Sequence, residues 1–598
     1  MKELEYPFDG NYIMKKKRSI KKELLADGSS RIKKKIAVLG GSTTSDIVKV
    51  MELFLLNYGI EPVFYESEYG QYWQDAMFPG EELSSFNPDI IYIHTSNRNI
   101  KDYPGMGDTV AQVDELVDNT YRHFEAMWNK LHELYHCPII QNNFEAPFYR
   151  LLGNRDVYDI HGRLSFINRL NDRFYEFARN NTLGEGSFFI SDINYISSCY
   201  GLDSWSDPQA WHMYKYACCI PAIPTWSFNV ANIIKSIYGK NKKGLVLDLD
   251  NTLWGGIVGD DGVDGIEIGQ ETNLGQVYAE FQDYIKSHKD LGIVLAVDSK
   301  NEEENAIAGL EHPDAPLKPD DFVAIKANWE PKSENMKKIA SELSLLPESL
   351  VFVDDNPAER EIVRGQIPGV CAPELDAPEH YIRLIDHSAF FEATSISEDD
   401  MKRNEMYMAN KKRAALEESF ADYSDYLRSL EMEAVIKPFE KMYMPRIAQL
   451  TNKSNQFNLT TRRYSQSDIE EAAGDKRNIT LYGRLKDKFG DNGIVALTAG
   501  HVDGDELHID LWLMSCRVLK RDMEFAMMDS LVKTALLRKV KTIYGYYYPT
   551  AKNKMVRDFY LLQGFEKISE DEEGNATFRL DISGGYENQN HVITVVEE

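Results

Sequence analysis

The chain has 598 residues, 43% of them hydrophobic, which is long enough for three or four globular domains. Its 95 acidic residues outnumber its 67 lysines and arginines, and the net charge of −28 gives no basic footprint for nucleic acid. Because it has no apolar run of about eighteen residues, no hydrophobic leader and only six scattered cysteines, we expect a reduced, cytoplasmic protein without a membrane span.

Residues 1–237 predict an N-terminal arm followed by an α/β domain. The arm covers 1–35, and its basic run KKKRSIKK is typical of a solvated helix face. From 36 to 237, buried strands alternate with amphipathic helices, which predicts a doubly wound parallel sheet. The expected strands lie within 33–43, 88–96, 138–143 and 187–194, with a helix at 45–59.

A second α/β block follows the polar stretch YGKNKKG and covers residues 243–385. It begins with the short apolar strand LVLDLD, whose leucines and valine are typical of a strand buried on both faces. The remaining strands are expected at 292–300, 321–327 and 349–356, with helices between them. The pattern again predicts a parallel sheet.

The last part of the chain does not continue the alternation of short strands and helices. Residues 397–430 are charged and predict a helical connector, and 431–582 predict an α+β domain with long, mostly antiparallel strands. We expect turns at Gly500 and at Asp503-Gly504, a helix at 522–538, and a loose tail over 583–598.

Polar side chains follow all four predicted strands of the second block. Asp248 and Asp250 end the first strand and Ser299 ends the second, while Lys332 follows the third and Asp354-Asp355 end the fourth. Ligand sites in parallel sheets lie at the carboxyl ends of the strands, so we expect these groups to meet.

This set of side chains suits phosphoryl transfer. Asp248 is the expected nucleophile, and Asp250 can protonate the leaving oxygen and later deprotonate water. Lys332 and Mg²⁺ would balance the phosphoryl charge, and Ser299 would donate to a phosphoryl oxygen. The expected metal residues are Asp248, Asp250 through its carbonyl, Asp354 and Asp355.

The four motifs DLDNT, Ser299, Lys332 and VDDN resemble those of the haloacid dehalogenase (HAD) superfamily. LDLDNTLWGGIVGDDG and VFVDDNPAER are similar to the capless HAD-IIIC group of FkbH-like proteins. The segment GIVGDDGVDGIEIG is expected to form a flap and leaves no room for a cap domain. Such an open site would suit a large substrate, such as a group on a carrier protein, and would also admit small phosphates.

The block 431–582 resembles a GNAT-type acyltransferase fold, with NKMVRDFYLLQGF matching its last helix. That resemblance implies a turn Arg-x-x-Gly-x-Gly that binds coenzyme A pyrophosphate at a helix N-terminus. Here Lys520 and Asp522 stand at the two glycine positions. Their side chains would crowd the phosphate and Asp522 would repel it, so we do not expect coenzyme A to bind. Asn452, Gln456 and Asn458 either line an acyl pocket or cap a helix and a loop.

Cys516 precedes Arg517, Lys520 and Arg521, and nearby cations favour a thiolate. FkbH-like enzymes take a glyceryl group from a phosphorylated donor and pass it through an enzyme thioester to an acyl carrier protein. The resemblance therefore implies Cys516 as the acyl carrier. The alternative is a buried strand cysteine that only packs.

The first domain resembles SGNH-type hydrolases, because VLGGSTTSD places Ser42 in the turn after the first strand and Asn97 stands where an oxyanion-hole Asn is expected. The resemblance implies Ser42 as nucleophile and a histidine three residues after an aspartate. His212 follows Asp207 by five, and Gln209 stands at the expected position. We therefore favour a docking or substrate-positioning domain over a hydrolase.

Three functions remain open. The first is a Mg²⁺-dependent enzyme that dephosphorylates a small phosphorylated acid of glyceryl type and loads the acyl group onto an acyl carrier protein, in polyketide or surface polysaccharide or lipid biosynthesis. The second is a plain phosphatase acting on a phosphosugar or phosphoacyl substrate with recognition domains on either side. The third, a non-enzymatic scaffold, predicts damaged HAD motifs, and these are intact.

Overall fold

The computed structural model describes residues 1–454 and 456–596. The chain divides into two compact units, one made of residues 1–240 with 392–394 and the other of the remaining residues. No helix in the described residues is long and apolar enough to cross a membrane. The architecture is α/β and multidomain, with two parallel sheets and one mixed sheet, as the sequence predicts.

The first unit is built on a five-stranded parallel sheet of order β2-β1-β3-β4-β5. This is the flavodoxin-like doubly wound order, which places loops of several strands together at the carboxyl edge. The sequence prediction lacks β2, whose surface is only partly buried. The strands are Ile32–Gly40 (β1), Ile60–Glu66 (β2), Ile90–His94 (β3), Ile139–Asn142 (β4) and Phe188–Ser191 (β5).

Helices cover this sheet, and the expected arm is one of them. Helix α1 buries Ile13, Ile20 and Leu24, so residues 10–26 of the N-terminal arm form an amphipathic helix of the first unit. The helices are Gly10–Ala26 (α1), Ser45–Asn57 (α2), Tyr72–Met77 (α3), Glu81–Phe86 (α4), Val110–Tyr135 (α5), Arg163–Arg179 (α6), Ile193–Tyr200 (α7), Leu202–Trp205 (α8), Pro208–Tyr214 (α9) and Ile223–Ile237 (α10).

The second unit begins with a four-stranded parallel sheet of order β8-β7-β6-β9. Its strands are Gly244–Leu247 (β6), Val294–Ser299 (β7), Ala324–Ala327 (β8) and Leu350–Val353 (β9). Its helices are Val258–Asp261 (α11), Asn273–Asp290 (α12), Glu303–Leu310 (α13), Lys332–Glu342 (α14), Pro357–Gln366 (α15) and Tyr381–His387 (α16). Strand β6 pairs with both β7 and β9, so three of the four polar strand ends are neighbours.

Three helices connect this sheet to the last domain, namely Glu398–Met401 (α17), Arg403–Glu417 (α18) and Tyr423–Ser429 (α19). Helix α18 is joined to the last domain by a bidentate ion pair between Arg413 and Asp487, at 2.7 and 2.8 Å. Tyr407 of the same helix belongs to the apolar core beneath β6 and β9. The connector therefore packs on both domains of this unit.

The last domain is an eight-stranded mixed sheet of order β15-β16-β14-β13-β12-β11-β10-β17. Its pairs are antiparallel except β13 with β14 and β10 with β17. The strands are Glu433–Lys437 (β10), Asn478–Asp487 (β11), Gly490–Asp503 (β12), Glu506–Met514 (β13), Thr542–Tyr547 (β14), Glu566–Glu570 (β15), Ala576–Asp581 (β16) and Thr594–Val595 (β17). The helices are Met444–Lys453 (α20), Gln466–Gly474 (α21), Met523–Leu537 (α22) and Phe559–Leu562 (α23).

Two local expectations for this domain were wrong. Gly500 does not turn the chain but lies inside β12 at a register shift, where a Cβ would meet the carbonyl oxygen of His508 at 2.3 Å. The expected loose tail is tied down, because Asp529 accepts hydrogen bonds from Tyr586 and Gln589, and β17 pairs with β10. Residues 597 and 598 of that tail lie outside the described residues.

Candidate active site

Three carboxylates meet at the carboxyl edge of the second sheet. Asp248 follows β6 and Asp354 follows β9, and the backbone N–H of Asp248 donates to the carbonyl of Val353 at 2.9 Å. Oxygen atoms of Asp248, Asp354 and Asp355 all lie within 4.8 Å of one another. Clustered carboxylate oxygens are the donors that Mg²⁺ prefers, so these residues fit a magnesium ion.

Burial and a neighbouring negative charge raise the pKa of two of these carboxyl groups, Asp354 and Asp355. Burial, followed by the negative charge of Asp248, raises the pKa of Asp354 to about 6. The same two causes raise the pKa of Asp355. Like charges at this separation repel each other, and a bound cation would relieve that repulsion.

Lys332 supplies positive charge within the protein itself. It begins helix α14, and its ammonium lies 3.0 Å from Oδ1 of Asp248 and 2.6 Å from Oδ2 of Asp354. Burial alone would lower the pKa of Lys332, but the two carboxylates raise it above its ordinary value. Lys332 is therefore a buried cation between the expected nucleophile and an expected metal ligand.

The Asp250 carboxylate faces a different set of partners. Its Oδ1 accepts hydrogen bonds from Trp254 Nε1 at 2.9 Å and from the Val258 N–H at 3.0 Å, and its Oδ2 accepts one from Asn301 at 3.0 Å. Burial, with a further contribution from the charge of Asp248, raises the pKa of Asp250. A carboxyl that retains its proton more readily suits a proton donor. This side chain lies outside the three-carboxylate group.

The other expected groups are close by. Ser299 is buried at the end of β7, next to β6, and Asn301 links that strand end to Asp250. The chain between β6 and β7 forms a small flap, in which Gly255 and Glu267 exchange backbone hydrogen bonds of 3.0 and 2.8 Å. A further hydrogen bond joins this flap to the site, because the backbone N–H of Val258 donates to Asp250 at 3.0 Å.

Asp298 was missed by the sequence reasoning. It is fully buried, its Oδ1 accepts a hydrogen bond from Asn335 at 3.0 Å, and its Oδ2 has no partner among the described residues. Burial raises the pKa of Asp298 to about 8, which favours its neutral form near pH 7. An aspartate inside the apolar strand VLAVDS was the available signal.

Cys516 lies at the other end of the second sheet. It is a free, half-buried thiol that packs against the apolar core containing Val246 and Phe352. It also lies near Lys243, which directly precedes β6, whereas Asp248 directly follows that strand. A four-residue strand spans about 13 Å, so Cys516 and Asp248 do not share a site in this structure.

Two of the cations expected to activate Cys516, Arg517 and Arg521, form hydrogen bonds with other residues. Arg517 Nε donates to Ser515 at 3.2 Å, and Arg521 donates to Asp487 at 3.2 Å and to Asn410 at 2.6 Å. These bonds direct both guanidinium groups to other oxygen atoms. The acyl-carrier role of Cys516 stays a prediction.

In the first unit, the hydrogen bonds do not join the residues that the SGNH resemblance implies as a catalytic set. Ser42 is buried after β1, and its Oγ makes no hydrogen bond to a described residue. The Asn97 amide donates to the carbonyls of Glu145 and Ala146, at 3.3 and 3.2 Å. His212 is exposed on α9 and makes no hydrogen bond to Ser42 in this arrangement.

Asp207 and Glu145 are two acidic residues of the first unit whose hydrogen bonds define their roles. Asp207 caps α9 by accepting from the N–H groups of Gln209 and Ala210, at 2.8 and 3.1 Å, which is a structural role. Glu145, which the sequence reasoning missed, is buried and accepts from the Asn97 N–H at 3.1 Å. Burial raises the pKa of Glu145 to about 7.

No protein-family model and no curated protein matches the chain. Among solved structures, it is similar to the ribosomal-protein-S18-alanine N-acetyltransferase of Escherichia coli (16% identity, 26% of this chain and 99% of the other, TM-score 0.21). It is also similar to the GNAT domain of S. lividans PAT (14% identity, 24% of this chain and 89% of the other, TM-score 0.21). With TM-scores of 0.21, these two structures do not assign a function to this chain.

A stronger likeness is to the N-terminal part of the protein BF1531 from Bacteroides fragilis, which is described as containing a phosphatase domain complexed with Mg. It has 29% identity and a TM-score of 0.58 and covers 64% of this chain and 99% of that structure. The similarity therefore extends over almost the whole of the solved Bacteroides fragilis structure and about two thirds of this chain.

Proposed function

We propose that the Asp248 site is a Mg²⁺-dependent phosphatase site of the HAD type. The observation that carries this proposal is the buried Lys332 ammonium between Asp248 and Asp354, with Asp355 beside them. The likeness to the Bacteroides fragilis phosphatase domain, solved with Mg, supports it. An ordinary structural ion pair would not require a third carboxylate at the same strand edge.

The residues divide the reaction between them. A carboxylate oxygen of Asp248 forms a bond to phosphorus as the bond to the leaving oxygen breaks, and Asp250 gives its proton to that oxygen. Asp250 then removes a proton from water, whose oxygen attacks phosphorus, and the Asp248–phosphorus bond breaks to release phosphate. Lys332 and the Ser299 hydroxyl orient the phosphoryl oxygens.

The metal completes the charge balance. The residues that would bind Mg²⁺ are Asp248, Asp354 and Asp355, with the carbonyl of Asp250 as the further ligand expected from the sequence. When bound, the ion supplies positive charge to the transferring phosphoryl group. Asp250 keeps its role as proton donor because its carboxylate is bonded to Trp254, Val258 and Asn301 instead.

We also propose a substrate and an acceptor for this enzyme. The substrate is a small phosphorylated acid of glyceryl type whose carboxyl group is activated as an acyl phosphate. The Cys516 thiolate forms the thioester as phosphate leaves the acyl carbon, and the acyl group then passes to the thiol of an acyl carrier protein, which releases Cys516. The resemblance of DLDNTLWGG and VDDNPAER to FkbH-like proteins supports this. The products would enter polyketide or surface polysaccharide or lipid biosynthesis.

A plain phosphatase is the second candidate, and the position of Cys516 favours it. The thiol packs on apolar core at the end of β6 that is opposite to Asp248. An acyl group would have to travel between the two ends of the sheet. In this alternative the other domains recognise a phosphosugar or a phosphoacyl substrate.

One experiment tests both candidates. Purified protein is incubated with Mg²⁺ and phosphorylated three-carbon acids, including one whose carboxyl is an acyl phosphate, and phosphate release is recorded beside intact mass. We expect Asp248→Asn to abolish phosphate release and Ser42→Ala to leave it unchanged. An acyl adduct that is lost in Cys516→Ala would support loading, and release without an adduct would support the plain phosphatase. Full release by Asp248→Asn would contradict both.

A further inference from the structure

Strands β13 and β14 of the last domain separate after a short pairing, and a segment of the chain lies between them. The two strands are parallel neighbours over 506–508 and 542–544 only. Beyond that point, residues 457–460, here called the inserted segment, run antiparallel to the end of β13. The gap between two diverging strands is therefore filled by the protein's own backbone.

The inserted segment is hydrogen bonded on both sides. On the β13 side, the Leu459 N–H donates to the Trp512 carbonyl and the Met514 N–H donates to the Phe457 carbonyl, both at 3.0 Å. On the β14 side, the Tyr548 N–H donates to the Leu459 carbonyl at 2.9 Å. It therefore satisfies backbone groups that diverging strands would otherwise leave unpaired.

Side chains fix the segment further. The Asn553 amide donates to the carbonyls of Asn458 and Tyr548, both at 2.9 Å, and so joins the segment to the chain after β14. Phe457 and Leu459 are buried in the core of this domain, and Phe457 packs edge-on against Phe559. Asn458 bonds to the backbone of Ser454 and Thr461, which favours the loop-capping alternative for this residue.

An open strand edge can bind an extended chain that carries amide groups. The pantetheine arm of coenzyme A has this chemistry, and the GNAT resemblance implies coenzyme A for this domain. We propose that the inserted segment permanently occupies the place of such an arm, so that the last domain works without coenzyme A. This proposal does not depend on the phosphatase site.

The turn at residues 517–522, where the GNAT resemblance implies that the coenzyme A pyrophosphate would bind, also argues against coenzyme A. Lys520 and Asp522 adopt left-handed backbone conformations with φ of 63° and 58°, where side chains replace the glycines of a phosphate-binding turn. Glu524 follows in the first turn of α22, and burial, aided by Asp522, raises its pKa to about 7. The Arg521 guanidinium is bonded to Asp487 and Asn410 instead of being directed to a phosphate-binding turn.

Two measurements on the full chain test the proposal. Isothermal titration calorimetry with coenzyme A and acetyl coenzyme A, up to about 1 mM, should show no saturable binding. Residue-resolved hydrogen exchange should find the amides of Leu459, Met514 and Tyr548 as slow as those of β12. Saturable binding by the wild type, or fast exchange at these three amides, would overturn it.

The variant Asn553→Ala provides a directional check. It removes the amide that ties Asn458 to Tyr548, so exchange at Leu459 should speed up by roughly tenfold or more while β12 is unchanged. An unchanged Leu459 rate in this variant would contradict the assigned role of Asn553. The matched control is Asn575→Ala, in an exposed turn that bonds to Asp571, and it should alter neither rate. If Asn553→Ala does not fold, the wild-type measurements decide alone.

Discussion

Lys332 is the residue on which the proposed phosphatase site depends most. Its ammonium neutralises part of the charge of Asp248 and Asp354, and 3% of its surface is exposed. Lys332→Met should lower kcat/KM for phosphate release by about 10²-fold or more, because transition-state charge loses a fixed cation. Steady-state kinetics with any accepted phosphoester measures this loss.

The control for that prediction lies one turn further along the same helix. Lys337 is exposed and pairs with Glu334 at 2.6 Å. Lys337→Met should change kcat/KM less than about twofold, since a surface pair contributes little. Equal losses in the two variants would show that helix α14, and not the buried charge, is what matters.

We expect Glu145 to make the stability of the first unit depend on pH. Its folded pKa of about 7 lies above that of an unfolded glutamate, near 4.5, so the folded state binds the extra proton between these values. Stability should therefore fall by up to about 1.4 kcal/mol per pH unit across that window and level off above pH 7. In Glu145→Gln this slope should disappear.

Hydrogen exchange of the β3 amides, measured from pH 5 to pH 8, gives the opening free energy of the first unit. Amides of β12 in the second unit serve as the internal reference. A slope in Glu145→Gln equal to that of the wild type would mean that another group titrates in this window.

At the scale of elements, α18 is joined to the last domain by buried charges. Asp487 accepts two hydrogen bonds from Arg413 and one from Arg521, and its side chain is inaccessible to solvent. Asp487→Asn should cost about 3–5 kcal/mol because it leaves two buried cations without a full counter-charge. Urea unfolding of the second unit, followed by hydrogen exchange of the β11 and β12 amides, checks this value.

The exposed pair Arg428–Asp425 on α19 is the matched comparison, since more than half of each side chain is accessible. Asp425→Asn should cost less than about 1 kcal/mol. If both substitutions cost the same, burial would not be what makes the α18 contact strong.

At the scale of the whole molecule, the metal should act on one unit only. The carboxylates of Asp248, Asp354 and Asp355 belong to the second unit, and the metal would relieve their repulsion. Saturating Mg²⁺ at about 100 times its Kd should stabilise that unit by about 2.7 kcal/mol, and EDTA should remove both this gain and phosphate release. Calorimetry of the wild type and Asp354→Asn tests it, because the variant should lose the response.

Much of the site was predictable, because chemistry-bearing residues ended successive buried strands. A parallel sheet brings its carboxyl ends to one edge, so the strand pattern alone is enough to expect that Asp248, Asp354 and Lys332 meet. No comparable rule exists for Cys516, since a residue that ends an antiparallel strand can face any neighbouring element. Its contact with the core near Lys243 depends on how the two domains of the second unit pack.

Periodicity and strand-end chemistry thus determined the α/β architecture and the candidate phosphoryl site, because both depend on local patterns that repeat along the chain. The tertiary structure alone decided three things: that Asp250 is bonded to Asn301, that the Ser42 Oγ has no hydrogen-bond partner among the described residues, and that residues 457–460 fill the gap beside β13. Each depends on contacts between residues far apart in sequence. Such contacts follow from packing and from the pairing of buried polar groups, which no single segment encodes.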